Sequence, residues 1–283
     1  MRIEPDRTDP DREDLASALL RLRQATGLSG ERLARRCGMS QSKVSRIETG
    51  RLLPSVVDVE QMLMGLGVDE STGFELLALA RVANAEYQDV RLSVRRGLHH
   101  RQRELASLEQ NATEIRHFLP ALITGLLQTP EYMQAAMAPP SRPAGGDVSK
   151  AVAAKLERQA VLHDPGKHFT FLLTESALRW QLCPRPMMAL QLDRIVSVSQ
   201  LPSVTIGVLP LDRLVTDGAY HTFVTYDRRL VTVELFTGQL VLRNPKDIDR
   251  HRTLFDFFAD RALWANEARQ MILGHADGFR AGE

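Results

Sequence analysis

Cysteine is scarce in this chain. There are two in 283 residues, Cys37 and Cys183, far apart and in different segments. Two cysteines so placed give neither a disulfide framework nor the paired spacing of a zinc site, so no metal is expected. Long apolar runs are also missing, and nothing approaches the roughly 20 consecutive apolar residues that span a bilayer. No membrane partner is therefore expected. An excess of one charge sign is missing as well: the formal charge is +1, so the whole molecule is not a generic polycation. No phosphate loop, no Gly-x-Ser-x-Gly and no His-Glu-x-x-His occurs. No catalytic residues and no cofactor follow from that survey, and a non-enzymatic protein is the expectation. Residues 1–13 are charged and lack the apolar centre of a secretory signal. Residues 1–12 are read as a disordered tail, and a cytoplasmic location is expected.

What is present is a local concentration of basic side chains. Between Arg12 and Arg51 nine cations stand against four carboxylates. On a near-neutral chain this suits one nucleic-acid-binding module joined to something else. Inside that stretch, residues 28–50 carry the pattern of two short helices joined by a tight turn. Ser29 is placed to cap the first, with Leu33 and Cys37 one turn apart on its inner face. Ala34 and Gly38 are small where the helices approach, and Gly38 suits the left-handed residue that ends a helix. Ser40 caps the second helix, Val44 and Ile47 face inward, and Gly50 ends it. Gln41, Ser42, Lys43, Ser45 and Arg46 are left exposed, all side chains that hydrogen-bond base edges or phosphates.

These features define a helix-turn-helix. Around it, residues 13–26, 55–66 and 74–83 have helical apolar spacing. Ser55 with Asp58 makes a capping box with Asp in the acidic position. An all-α, five-helix DNA-binding domain over residues 13–83 is expected. The segment resembles the phage-repressor (Xre, Cro/repressor) type of helix-turn-helix through Leu33-Ala34, residues 38–42, Val44-Ser45, Ile47-Glu48, Gly50 and Pro54. The resemblance implies that the second helix enters the major groove with Gln41, Ser42 and Arg46 as base readers. It implies that Arg23 pairs with Glu48. That family often has a Gln near the start of the preceding helix, on a phosphate. Gly30 stands there, next to Ser29, so only a backbone amide remains for that contact. Lys43 and Arg51 are expected on phosphates. The family reads palindromic operators, so a homodimer on double-stranded DNA is expected.

Residues 84–111 read as a helical connector, with Arg91, Arg95, Arg96, Arg101 and Arg103 prominent. Residues 112–283 read as an α+β domain with a mostly antiparallel sheet. Helical spacing runs through Leu105, Leu108, Ala112, Ile115 and Phe118, and residues 139–146 read as a flexible loop. β-rich runs are expected at 168–173, 204–209, 222–226, 230–235 and 239–242, with helices at 148–162, 187–199 and 247–273. Leu254, Phe255, Phe257, Phe258, Leu263 and Trp264 offer more apolar surface than one helix face needs, so part of it is expected in an interface.

Residues 122–132 resemble the Pro-Gly-Leu-Leu-Gln-Thr-Pro-Glu-Tyr signature of a C-terminal domain found in actinobacterial Xre-type regulators of the WhiJ kind, a domain of unknown function also described as antitoxin-like. Ile123-Thr124 replaces the usual Val-Pro. Residues 155–162, 173–179, Gln191-Leu192 and 204–210 continue the resemblance. It implies a transcriptional regulator whose C-terminal domain receives a partner protein or a small-molecule effector. The alternative it implies is an antitoxin-like protein that neutralises a small partner encoded nearby and regulates its own operon. Leu127, Gln128, Thr129 and Tyr132 are the candidate effector or partner site, with Thr129 also placed to cap a helix that Pro130 begins.

Overall fold

The computed structural model describes residues 10–89, 98–137, 147–236 and 238–281. The chain divides into two units, one running to Glu86 with Leu242–Asn244, the other comprising Tyr87–Val241 and Pro245–Glu283. The expected tail lies outside the described residues up to residue 9, and its last part belongs to the first helix. The expected loop at 139–146 and Arg91, Arg95 and Arg96 also lie outside them.

The first unit holds α1 (Pro10–Ala25), α2 (Gly30–Cys37), α3 (Gln41–Glu48), α4 (Val56–Leu66) and α5 (Glu70–Asn84). The Ser55 side chain accepts from the Asp58 amide and Asp58 accepts from the Ser55 amide, so the capping box closes with the shorter acid. The core is one cluster, with Leu15, Leu19, Leu33, Val44, Ile47, Val59 and Met62 fully buried. Gly65 of α4 lies against α2. A Cβ there would stand 2.6 Å from Cys37 Sγ, so glycine permits this helix crossing.

The second unit is built on a mixed sheet. Its strands are β1 (Ala85–Asp89), β2 (Glu114–Leu119), β3 (His168–Thr174), β4 (Val204–Leu209), β5 (Phe223–Tyr226), β6 (Leu230–Glu234), β7 (Gly238–Leu242) and β8 (Leu263–Trp264). They lie in the order β1-β7-β6-β5-β2-β3-β4-β8. The helices are α6 (Leu98–Gln110), α7 (Pro130–Met137), α8 (Val148–Arg158), α9 (Glu175–Arg179), α10 (Arg185–Val198), α11 (Pro245–Ala259) and α12 (Ala265–Ala281).

The mostly antiparallel expectation fits only the flanks. β2 runs parallel to β3 and β3 to β4, while β2–β5, β5–β6 and β4–β8 are antiparallel. The cause lies in the connections: α7 and α8 separate β2 from β3, and α9 and α10 separate β3 from β4, and such helical crossovers return the chain in the same direction. Ile115 and Phe118 belong to β2, not to a continued helix; α6 stops at Gln110. A central strand is buried on both faces, so its apolar residues do not alternate and can imitate helical spacing. The connector is likewise not helical throughout, because Ala85–Asp89 is a strand. The expected long terminal helix is two helices, interrupted by β8.

The two faces of the sheet meet different helices. Phe118 faces Phe258 of α11, with centroids 4.6 Å apart, and Phe223 packs on Phe118 and on His251 of the same helix. Ile115, Leu119, Phe171 and Tyr226 face a larger core with Tyr132, Leu178, Leu192, Ile195 and Ile272. Of the apolar side chains expected to supply an interface, Phe255 and Phe258 are buried, Leu254, Phe257, Leu263 and Trp264 are half-buried, and Trp264 lies on Gly207 so closely that a Cβ there would meet its ring at 2.6 Å.

Candidate nucleic-acid interface

The helix-turn-helix is held by its caps. Ser29 Oγ accepts from the Arg32 amide at 3.2 Å, and Ser40 Oγ accepts from the Lys43 amide at 3.2 Å. Gly38 takes φ 65°, and the Met39 amide donates back to the Ala34 carbonyl at 2.9 Å, which turns the chain between the helices. Val44, Ile47 and Glu48 fix one side of α3 in the core. Gln41, Ser42, Ser45 and Arg46 stand exposed on the other, followed by exposed Arg51. Ser29 is exposed and Gly30 half-buried at the start of α2.

Arg23 joins α1 to α3. Its Nε donates to Glu48 Oε1 at 2.6 Å, one terminal nitrogen donates to Glu48 Oε2 at 2.9 Å, and the other donates to the Leu28 carbonyl at 2.9 Å. The hydrogen bond to Glu48 raises the guanidinium pKa further. Lys43 is placed differently from the phosphate-facing role. Its Nζ lies 2.6 Å from Asp58 Oδ1, so its charge is compensated by the acid of the α4 capping box. Sequence spacing could not show this, because the pair joins residues 15 apart.

The four residues of the candidate effector site separate. Leu127 and Tyr132 are buried in the core of the second unit. The Thr129 amide donates to Gln191 Oε1 at 2.7 Å, and its hydroxyl accepts from the Tyr132 amide at 3.3 Å, a capping role for α7. Gln128 is buried and polar: its Nε2 donates to the Ile123 carbonyl at 2.6 Å, and Lys155 Nζ donates to its Oε1 at 3.1 Å. Gln159 Nε2 donates to the carbonyls of Gly125 and Gln128, and Gln191 Nε2 to that of Leu127. Three glutamine side chains thus satisfy the buried backbone of one irregular loop.

Sequence reasoning missed the residues gathered beside that loop. Arg158 Nε lies 3.2 Å from Glu109 Oε2, and its NH1 donates to Gln102 Oε1 at 2.6 Å. His117 of β2 stacks on Phe171, centroids 4.8 Å apart. The available signal was a histidine two residues after Ile115 and directly before Phe118 and Leu119. Among the described residues no group of His, Cys, Asp or Glu could hold a metal ion, and no helix is long and apolar enough to cross a membrane.

Together, these features define a helix-turn-helix DNA-binding protein that carries a second, helix-flanked mixed-sheet domain. The family follows from sequence comparison. Residues 102–274 match the family described as a domain of unknown function, DUF5753, and residues 14–72 match a helix-turn-helix domain. The chain belongs to the DUF5753 family. No curated protein matches it. Among solved structures it is similar to a phospholipase D family member, Nuc from Salmonella typhimurium, at 12% identity over 64% of this chain and 95% of that one, with a TM-score of 0.34. It is also similar to TrmBL2, an archaeal chromatin protein, at 12% identity over 73% of this chain and 66% of that one, with a TM-score of 0.32. Both likenesses are too distant to define a fold or a function.

Proposed function

We propose that this protein is a sequence-specific transcriptional regulator, not an enzyme, which places α3 in the major groove of double-stranded DNA while its second unit receives an effector. The observation that carries the reading is the division of α3. Val44, Ile47 and Glu48 anchor it, and the opposite face is a row of exposed groups suited to base edges. Gln41 is matched to adenine and Arg46 to guanine, with Ser42 and Ser45 beside them. Arg51 and the backbone amides at Ser29 and Gly30 take phosphates. Lys43 positions α3 against α4 through Asp58. The DNA target is a palindrome, read by a homodimer.

Selection of a binding site from random duplexes, followed by gel-shift titration, tests this. Gln41→Ala and Arg46→Ala should each cost about 1–3 kcal/mol on the selected site and little on random DNA. Arg51→Ala should weaken both equally and reduce the slope of affinity against salt. Equal losses on both duplexes for Gln41→Ala would refute the assignment of that residue to a base.

A further inference from the structure

The second unit holds a cavity of about 260 Å³ on the His117 face of its sheet. Strands β2, β5 and β6 form one wall, α6 and α8 another, and residues 121–128 a third. A cavity of about 150 Å³ already takes a benzene-sized guest, so this one admits a substituted six-membered ring. Leu119, Ile123 and Val224 give it a buried apolar lining.

The polar side chains of the lining differ in what they still lack. The ionic ones are matched, two carboxylates, Glu109 and Glu234, standing against two cations, Lys155 and Arg158. Arg158 Nε lies 3.2 Å from Glu109 Oε2, its NH1 donates to Gln102, and Lys155 donates to Gln128. Glu234 is exposed and also holds a partner. A charged guest would give up its hydration to meet groups that are already compensated, which is a net cost. His117 is different. Its side chain is buried, lines the cavity on the same face of β2 as Leu119, and neither ring nitrogen has a hydrogen-bond partner among the described residues. Buried polar groups are rarely left so, because the lost hydration is not recovered. Burial, helped by the Arg158 charge, holds this imidazole neutral, its pKa down to about 3. A neutral ring offers one donor and one acceptor. A hydroxyl both donates and accepts, so it pairs with either nitrogen in either tautomer.

We propose that this cavity binds a small uncharged alcohol or phenol. Leu119, Ile123 and Val224 pack on its apolar body, and His117 hydrogen-bonds its hydroxyl. The proposal deepens the effector role given to the second unit and rests on that reading for its consequence at DNA.

Ligand-observed NMR titration of the full chain without DNA tests it. The probe is 4-methylphenol, with 1,4-dimethylbenzene as the same shape without a hydroxyl and 4-methylbenzoate as the charged match. The phenol should bind at a single saturable site, and each of the others about tenfold more weakly or worse. His117→Phe keeps a ring against Phe171 and removes both nitrogens. It should lower the affinity for the phenol to that for 1,4-dimethylbenzene and leave the latter unchanged. With nitrogen-15 histidine in the parent, the ring signals missing from His117→Phe should move with the phenol and not with 1,4-dimethylbenzene. If His117→Phe does not fold, the ratio of the two affinities in the parent decides. No saturable binding of the phenol, equal binding of the phenol and either match, or a phenol affinity indifferent to His117→Phe would overturn the site. Gel shifts with and without the phenol read the coupling separately. A phenol that binds yet leaves DNA affinity unchanged supports the site and overturns the effector role.

Discussion

At the scale of single residues, two buried charged arrangements do different work. Arg23 and Glu48 form a two-pronged pair with Glu48 almost fully enclosed, its side chain 6% exposed against 17% for Arg23. Removing one partner strands a desolvated charge, and the cost exceeds the net worth of the pair. Glu48→Ala should destabilise the chain by about 2–3 kcal/mol, below the fully buried value because Arg23 keeps some solvent. Arg23→Met together with Glu48→Leu should recover part of that loss. Denaturant melts of the four chains form the cycle, and strictly additive costs would show that the pair is not coupled. Glu109 and His117 give a pH signature instead. Burial raises Glu109 from 4.5 to about 7, so the folded chain holds that proton more tightly and stability falls as pH climbs through this window. Burial lowers His117 from 6.5 to about 3, so the unfolded chain gains protons first and stability falls as pH drops through that window. The two slopes oppose each other between pH 4.5 and 6.5. Relative to the parent, Glu109→Gln should lose less stability on going from pH 4.5 to 7, and His117→Leu less on going from 6.5 to 4.5. Parallel curves for parent and variant would assign the titration elsewhere.

At the scale of elements, α2 and α4 touch through a glycine. Gly65→Ala forces a methyl toward Cys37 Sγ and should cost about 1–3 kcal/mol, with Cys37→Ala in the same chain restoring most of it. Thermal melts of the single and double variants check this, and no rescue by Cys37→Ala would place the strain elsewhere. That contact also shows what the sequence concealed. Gly65 reads as a weak point near a helix end, and only the packed fold reveals it as the place where two helices meet. The local features were legible: Ser29, Ser40 and the Ser55–Asp58 box mark helix starts because caps act within four residues. The exposed face of α3 was legible for the same reason. β2 was hidden because its burial on both faces is a property of the whole sheet. With β2 went His117; the helices that carry Glu109 and Arg158 were legible, but their pairing was not, because its members are far apart in the chain. Gln128 was singled out from a resemblance, yet its position depends on Lys155 and on four loop carbonyls held by glutamines.

At the scale of the whole molecule, the proposed palindrome demands two recognition helices about one turn of DNA apart. A five-helix unit with one small core leaves little apolar surface for a strong interface of its own. The second unit is better supplied, although Phe255 and Phe258 are internal and Trp264 packs on Gly207. Its exposed apolar side chains include Leu190 of α10 and Leu273 of α12, on helices that pack against each other, and Trp180 after α9. Singly exposed apolar residues are ordinary, but several on neighbouring helices fit association. Residues 1–86 alone should therefore be monomeric and bind the selected site weakly, while the full chain should be dimeric and bind far more tightly, because the second half-site is engaged within one complex. Leu190→Lys with Leu273→Lys in the full chain should return it to a monomer with the weak affinity of the fragment, and circular dichroism should show it still folded. Light scattering and gel shifts on the three proteins give the answer. A fragment that is dimeric and fully active would remove the second unit from assembly and leave it the effector role alone.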